Sequence, residues 1–554
     1  MKSLRELTVR AAARLIAEGR MTSKELVDAA MGAAAISATE DALSDASGMA
    51  SSSGITQMEM MHPPSLSPST SSSSSESSSE SCASFVEGLP FVVKENIVTR
   101  NFDTDAGSKM LKGYRHRHDA AVVSRLLRSG AKLVGKTAMD EFGMGSHSLR
   151  HGGTCIGVRN PRNLMRSAGG SSGGTAAAVA AGIALFGIGS DTGGSVRQPA
   201  AFCGLCGLKP TYGLIPRDGL IAYASSLDTV GIIAKTVEDT FDVLEVVEGE
   251  SMRDMTSSSR PATWRRRRPS VREGDRSRDA ATSYEDEDKD DESIIDSLKG
   301  MRIGLPVEAR IDEASSRATQ AWEEAADVLR RAGATVVDVR VPMFEKCLAA
   351  YHIIAHTEAA SNLSRYDGIR YGPEGVIAHA AVRHGMSSAV PDRKRELASL
   401  EAQVVDMRSR LFGEEVKRRI IMGTFASSSV RSDGWFVHAS RVRAVLAEDM
   451  RRCFDAGVDV LLTPTVPDVA PLLEDVMHME PNDMYAGDIY TVPANLAGLP
   501  AFAMPAGIDH DTGMPRSIQL IASWYREDKI RFVASVLQRS FLSSFHPHTA
   551  PSST

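Results

Sequence analysis

Short apolar runs alternate with amphipathic stretches along most of the 554 residues. The opening residues lead into an amphipathic helix through Ala17. Leu89-Pro-Phe-Val-Val93 is wholly apolar and predicts a buried strand that ends on Lys94. Ala120 to Arg128 has helical spacing and stops at Gly130, after which Lys132-Leu-Val134 reads as a strand. Met301-Arg-Ile-Gly-Leu305 and Thr335-Val-Val-Asp-Val339 read as strands around a helix from Arg317 to Ala332. Val458-Asp-Val-Leu-Leu462 is a further strand. The Ala-rich run from Ala176 to Ile188 is too short to span a bilayer and reads as a buried helix followed by a strand. Strands interleaved with helices predict an α/β protein with one large mixed sheet covered by helices.

Two segments interrupt the pattern. Residues from about 40 to 84 are dominated by serine, with Ser71 to Ser75 unbroken. Residues from about 250 to 294 carry Arg265-Arg-Arg-Arg268 and then the acidic run from Glu285 to Glu292. Neither offers enough apolar surface to offset the entropy of ordering, so both are expected to be disordered insertions in a single domain spanning 1–554. The basic tetrad sits close upstream of acid, which reads as a self-neutralising solvated loop. A net charge of −7 gives no overall basic surface for gripping nucleic acid. Six scattered cysteines do not form a secreted disulfide framework and suggest a reducing compartment. No signal peptide is visible.

Two motifs invite a wrong reading. Gly130-Ala-Lys-Leu-Val-Gly-Lys-Thr137 matches the phosphate-binding loop pattern letter for letter. A true phosphate loop follows a strand and opens a helix. Here a helix precedes the first glycine, and the residues between the glycines are the strand. A nucleotide-dependent switch built on this motif is therefore the weakest reading. Cys203-Gly-Leu-Cys206 has redox or zinc spacing but lacks a second pair of ligands, so no metal site is argued.

The chemistry is concentrated elsewhere. Gly169-Gly-Ser-Ser-Gly-Gly174 and Gly189-Ser-Asp-Thr-Gly-Gly-Ser195 flank the apolar run. Flexible linkers are also rich in Gly and Ser, but their flanks are polar. Ser195 follows two glycines and precedes a helix start marked by Pro199, so the N–H groups from Thr192 to Ser195 can converge on one oxyanion. A serine needs a base, and no histidine is near it in sequence. Lys94 is the candidate, because burial lowers a lysine pKa and leaves a neutral amine.

Lys94, the Gly-Gly-Ser171-Ser-Gly-Gly loop and the Gly-Ser-Asp-Thr-Gly-Gly-Ser195-Val-Arg-Gln-Pro-Ala block together resemble the amidase signature family. The resemblance implies its fold and a Ser–Ser–Lys triad. Ser195 would be the acyl-forming nucleophile, Ser171 the bridging serine on a cis peptide, and Lys94 the base. The choice of Ser171 over Ser172 rests on motif position and spacing to Ser195. Thr192, Gly193 and Gly194 would supply the oxyanion hole. Further blocks, Ser361-Asn-Leu-Ser-Arg-Tyr-Asp-Gly-Ile-Arg-Tyr371-Gly, Glu415-Val-Lys-Arg-Arg419-Ile and Met484-Tyr-Ala-Gly-Asp488-Ile, are similar to the family's glutamine-hydrolysing branch. That branch implies Arg419 on the α-carboxylate of glutamine, Asp488 on its α-amine and Tyr371 lining the pocket. It also implies a heterotrimer with the B and C subunits of an amidotransferase. The tRNA would be held mainly by the B subunit, with ATP and Mg²⁺ used there and no cofactor in this chain. The alternative within the family is a stand-alone amidase for small or aryl amides. Gly145-Ser-His-Ser-Leu-Arg-His-Gly152 departs from the branch's usual form, at a place expected to be the pocket rim. The two insertions suggest a eukaryotic version and, with it, a mitochondrial location.

Overall fold

Crossovers between parallel strands bring the two Gly/Ser loops to one end of a large sheet. The structure is a computed structural model and describes residues 4–46, 55–57, 85–151, 154–155, 157–259, 297–372, 400–428 and 434–542. In chain order the strands are β1 (Ile55–Gln57), β2 (Pro90–Lys94), β3 (Lys132–Thr137), β4 (Arg150–His151), β5 (Thr154–Cys155), β6 (Arg159–Asn160) and β7 (Asn163–Ser167). They continue with β8 (Phe186–Asp191), β9 (Cys206–Lys209), β10 (Thr229–Ala234), β11 (Arg302–Pro306), β12 (Thr335–Val339), β13 (Val460–Pro464), β14 (Ala501–Ile508) and β15 (Pro515–Ala522). Eleven of them form one mixed sheet in the order β1-β3-β2-β8-β10-β9-β14-β15-β13-β11-β12. The other four make two small hairpins, β4 with β5 and β6 with β7.

The local sequence explains the arrangement. Strands β2, β8, β10 and β13 are buried along their whole length, as continuous apolar runs between covering layers require. β2 runs parallel to both β3 and β8, so the chain must cross over between them. The second crossover carries the first Gly/Ser loop into a helix over Gly173–Ala180, whose Gly and Ala residues are almost all buried. Small residues are needed here. A side-chain carbon at Gly189 of β8 would lie 2.8 Å from the Ser172 hydroxyl.

Expected and observed elements differ mainly at their ends. The helix after residue 120 covers Ala121–Arg128, and β3 runs on to Thr137. The helix expected over 317–332 covers Ser316–Arg331. The strand expected at 458–462 lies two residues later, at Val460–Pro464. The first helix begins only at Val9, where Thr8 caps it by accepting the Ala11 N–H at 3.1 Å. A helix over Ser23–Ala46 reaches into the Ser-rich segment, and β1 pairs antiparallel with β3. The remainder of 40–84 lies outside the described residues. Residues 250–259, expected to open the charged insertion, are tied to the body. The Arg217 N–H donates to Asp254 at 2.7 Å, and the Ser258 N–H to the Gly213 carbonyl at 2.8 Å. Short polar side chains make these turns by accepting backbone N–H groups, which composition alone reads as disorder. Most of that insertion, 260–294, again lies outside the described residues.

Candidate active site

Lys94 ends β2 fully buried, with three oxygens around its amine. Its Nζ donates to Ser171 Oγ at 2.7 Å, to Ser190 Oγ at 3.0 Å and towards the Ser190 carbonyl at 3.3 Å. The Gly170–Ser171 peptide is cis. Burial pushes the Lys94 pKa down to about 7, against the opposing pull of Asp140, Asp191 and Asp228. A proton acceptor near neutrality therefore sits against a serine hydroxyl. Ser190 was not foreseen. It lies on β8 beside β2 and also accepts from Asn96 Nδ2 at 2.9 Å. Its position inside the Gly-Ser-Asp-Thr block was the available signal.

The second Gly/Ser loop is fixed from below by a buried ion pair. Asp191 and Arg197 meet twice, Nε to Oδ2 at 3.0 Å and Nη2 to Oδ1 at 2.9 Å. Arg197 also donates to the Thr491 carbonyl at 2.9 Å and to Gln519, and Asn495 Nδ2 reaches Asp191 at 2.8 Å. Burial alone would raise the Asp191 pKa, but Arg197 and Asn495 hold the carboxyl well below its ordinary value. Above this pair, Thr192 donates to Asp228 at 2.7 Å, and the Ser172 N–H donates to the Ser195 carbonyl at 3.1 Å. No protein acceptor takes the N–H groups of Gly193, Gly194 or Ser195 among the described residues. Ser195 keeps accessible surface while its neighbours are buried. Its hydroxyl is not hydrogen-bonded to Ser171, whose oxygen accepts from Lys94.

Side chains of both charge signs stand near one another beside the loop. Arg419, on the helix Glu414–Ser427, is buried and donates to Tyr223 Oη and to Glu415 Oε1, each at 2.7 Å. Its guanidinium lies 5.3 Å from the Tyr485 ring centre, and Tyr485 donates to the same Glu415 oxygen at 2.7 Å. Tyr223, Glu415 and Tyr485 were all missed by sequence reasoning, since no local pattern marks a residue that braces another. Asp488 accepts from the Ser146 hydroxyl at 3.4 Å. Burial pushes its pKa up to about 7, with Arg419 pulling the other way. Thr491 joins the two regions: its hydroxyl lies 2.5 Å from the Gly193 carbonyl and 3.0 Å from that of Asp488.

Tyr371 is placed differently from Arg419 and Asp488. It packs edge-on against Tyr114 and Tyr366, with ring centres at 5.9 and 5.2 Å. Tyr366 in turn meets Phe142 at 5.1 Å. Among the described residues, no hydrogen bond joins Tyr371 to Arg419 or Asp488, whose partners are Tyr223 and Glu415 for the first and Ser146 for the second. The departing segment at 145–151 does line the site: Ser146 faces Asp488, and the Ser148 N–H donates to Asp140 at 3.0 Å. His147 is buried against Phe202, and burial drives its pKa down to about 4.

Both motifs lie on buried elements. Residues 132–137 are β3, and Lys136 is buried with its amine on the Ile97 carbonyl and Thr104. Cys203 and Cys206 are buried free thiols, and burial pushes the Cys203 pKa up to about 12.

A serine loop coupled to a buried lysine, on one mixed sheet, defines a class. Residues 65–530 match the amidase family, and the chain belongs to it. Over 453 residues it is 41% identical to the glutamyl-tRNA(Gln) amidotransferase A subunit of Halothermothrix orenii, covering 82% of this chain and 84% of that one. The A subunit of the same enzyme from Listeria monocytogenes is 39% identical over 466 residues, 84% of this chain and 85% of the relative. The crystal structure of the Thermotoga maritima A subunit superposes with a TM-score of 0.70 at 30% identity, covering 97% of this chain and 96% of that chain. A 6-aminohexanoate cyclic dimer hydrolase at 23% identity and a TM-score of 0.67 shares the fold.

Proposed function

We propose that this chain is the glutaminase, the A subunit, of a tRNA-dependent amidotransferase that converts Glu-tRNA(Gln) to Gln-tRNA(Gln). One observation carries the reading: Thr491 ties Asp488, which lies within electrostatic reach of Arg419, to the loop of Ser195. A free amino acid presents one group of each sign, and Arg suits its carboxylate. A hydrolase of neutral amides has no use for both charges.

The reaction follows from the groups present. Neutral Lys94 takes the Ser171 proton as Ser171 takes that of Ser195, and Ser195 Oγ bonds to the side-chain amide carbon of glutamine. The N–H groups from Thr192 to Ser195 hold the oxyanion. The proton returns from the Lys94 ammonium through Ser171 to the amide nitrogen, because an amide anion is a poor leaving group. The C–N bond then breaks and ammonia departs, leaving a glutamyl ester on Ser195. Water then bonds to the ester carbon while its proton passes through Ser171 to Lys94; the bond from that carbon to Ser195 Oγ breaks as the proton returns through Ser171 to Ser195 Oγ, and glutamate leaves. Ammonia would be consumed at a partner B subunit, where ATP and Mg²⁺ serve the activation of Glu-tRNA(Gln). A small C subunit completes the heterotrimer.

The test is ammonia release from L-glutamine by the purified chain alone and co-expressed with the B and C subunits. Glutamine hydrolysis that Ser195→Ala abolishes supports the reading. Hydrolysis of small or aryl amides without partners, with glutamine ignored, overturns it in favour of a stand-alone amidase.

A further inference from the structure

At the far flank of the sheet, β12 and the end of the helix Trp435–Asp455 enclose a groove of about 330 Å³. None of the catalytic groups lines it. Val337, Val339 and Val458 give it an apolar floor, and Arg302, Arg340 and Arg452 stand around it. β12 has β11 on one side and, among the described residues, no strand on the other. Folded proteins usually cover an open edge of this kind.

The charges at the groove are unbalanced. Arg340 is 74% exposed and Arg452 69%, and each meets a carboxylate through its Nε, Glu308 and Glu448 respectively. Arg302 donates to the Ala456 carbonyl at 3.2 Å and has no ion pair among the described residues. Asp338 also lines the groove, but Arg310 holds it at 2.8 Å. Guanidinium groups around an apolar floor call for an occupant that offers carboxylates and apolar side chains together.

The chain carries such an occupant next to the groove. Residues 260–296 lie outside the described residues, and they end Glu285-Asp-Glu-Asp-Lys-Asp-Asp-Glu292-Ser-Ile-Ile-Asp296. Beyond them the Leu298 N–H donates to the Ala332 carbonyl at 2.8 Å. The Met301 N–H returns to the Leu298 carbonyl at 2.9 Å, a turn that sets residue 297 near Arg302 at the start of β11. The steps from Glu292 to Ser297 span at most about 17 Å. The end of the acidic run is therefore held at this flank. So short a tether gives a local concentration in the millimolar range, where exposed ion pairs that are weak singly act together.

We propose that the groove beside β12 is the docking site of the chain's own acidic segment. Residues 285–292 lie against Arg302, Arg340 and Arg452, and Ile294 and Ile295 face the valine floor. Docked there, the segment covers the edge that could otherwise pair with a second chain.

Trypsin reads the contact on the full chain, because Lys289 lies inside the run. Arg265 to Arg268 give a cleavage site in the same insertion but outside the contact. The rate of cutting after Lys289 is compared with that in a synthetic peptide of residues 280–297, which has the same local sequence and no groove. Cutting is expected to be about 10-fold slower in the protein, since cleavage follows the undocked fraction. Replacing the three arginines together, Arg302→Gln, Arg340→Gln and Arg452→Gln, should bring the rate up to that of the peptide and leave cutting at 265–268 unchanged. Salt at about 0.5 M should do the same to the unaltered chain. Should the triple variant fail to fold, the run is neutralised instead with Asp286→Asn, Asp288→Asn, Asp290→Asn and Asp291→Asn. Measured against its own peptide, that chain should show no slowing. Equal rates in the unaltered protein and its peptide overturn the inference. So does slowing that survives the arginine substitutions but vanishes when Arg265 to Arg268 are replaced by glutamine, because the run is then paired with the tetrad. Slowing that grows with protein concentration assigns the groove to a second copy and overturns it as well.

Discussion

Lys94 is a base only because the fold denies its amine water. With its pKa brought down to about 7 by burial, the neutral form becomes the majority just above neutrality. The kcat for glutamine hydrolysis should therefore climb as pH rises through about 7 and then level off. Lys94→Arg cannot deprotonate, and its kcat should drop about 10²- to 10⁴-fold at every pH, measured as ammonia release. The same shift has a stability sign. Between about 7 and the ordinary 10.5, the unfolded chain holds a proton that the folded chain lacks, so this group makes stability rise with pH across that window. Asp488 gives a second limb. Burial raises its pKa to about 7, so below that pH it loses the charge that would attract an ammonium, and KM should rise as pH falls. Asp488→Asn should raise KM and abolish this limb, leaving the kcat limb of Lys94 in place. A pH series of both parameters on the two variants separates the groups.

The nucleophile loop owes its shape to the elements beneath it. Arg197 opens a helix over Arg197–Cys203 and reaches back to Asp191 at the end of β8. It also binds the Thr491 carbonyl. Removing the guanidinium strands a buried carboxylate, so Arg197→Met should cost about 3–5 kcal/mol in urea unfolding, with activity lost in the folded fraction. Asp191 has a depressed pKa, so the stability it brings is present above the ordinary carboxylate value and fades as pH falls through the acid range. How much of this was legible follows from its locality. β2 and β12 lie at the residues expected from their apolar runs, and Lys94 and Ser171 meet because both motifs are local. The partners of Arg419 were illegible. Tyr223 and Tyr485 lie 196 positions before and, from the pairing with Glu415, 70 positions after that helix turn, and only the folded sheet joins them. Residues 250–259 were misplaced for the opposite reason: polar composition hid turns that side-chain oxygens had closed.

The whole sheet depends on both halves of the chain. β9, from the first half, pairs with β10 on one edge and with β14, some 300 residues later, on the other. A fragment ending at residue 259 would expose that edge and the buried face of the helix above it. It should express as aggregate, whereas the full chain is expected to elute as a defined species in size exclusion. The short segment from Asp488 to Asn495 crosses this same junction, and it supplies Asp488, Thr491 on Gly193 and Asn495 on Asp191. Selection acting on such a segment faces a constraint. A mutation that retunes what Asp488 accepts also shifts the carbonyl and carboxylate that shape the nucleophile loop. Arg419 stands on a separate helix with its own brace of Glu415, Tyr223 and Tyr485. New substrate preferences in descendants of this chain should therefore arise first on the Arg419 side, which reaches the nucleophile loop only indirectly, through Tyr223 and Asp228, while the Asp488 side stays frozen.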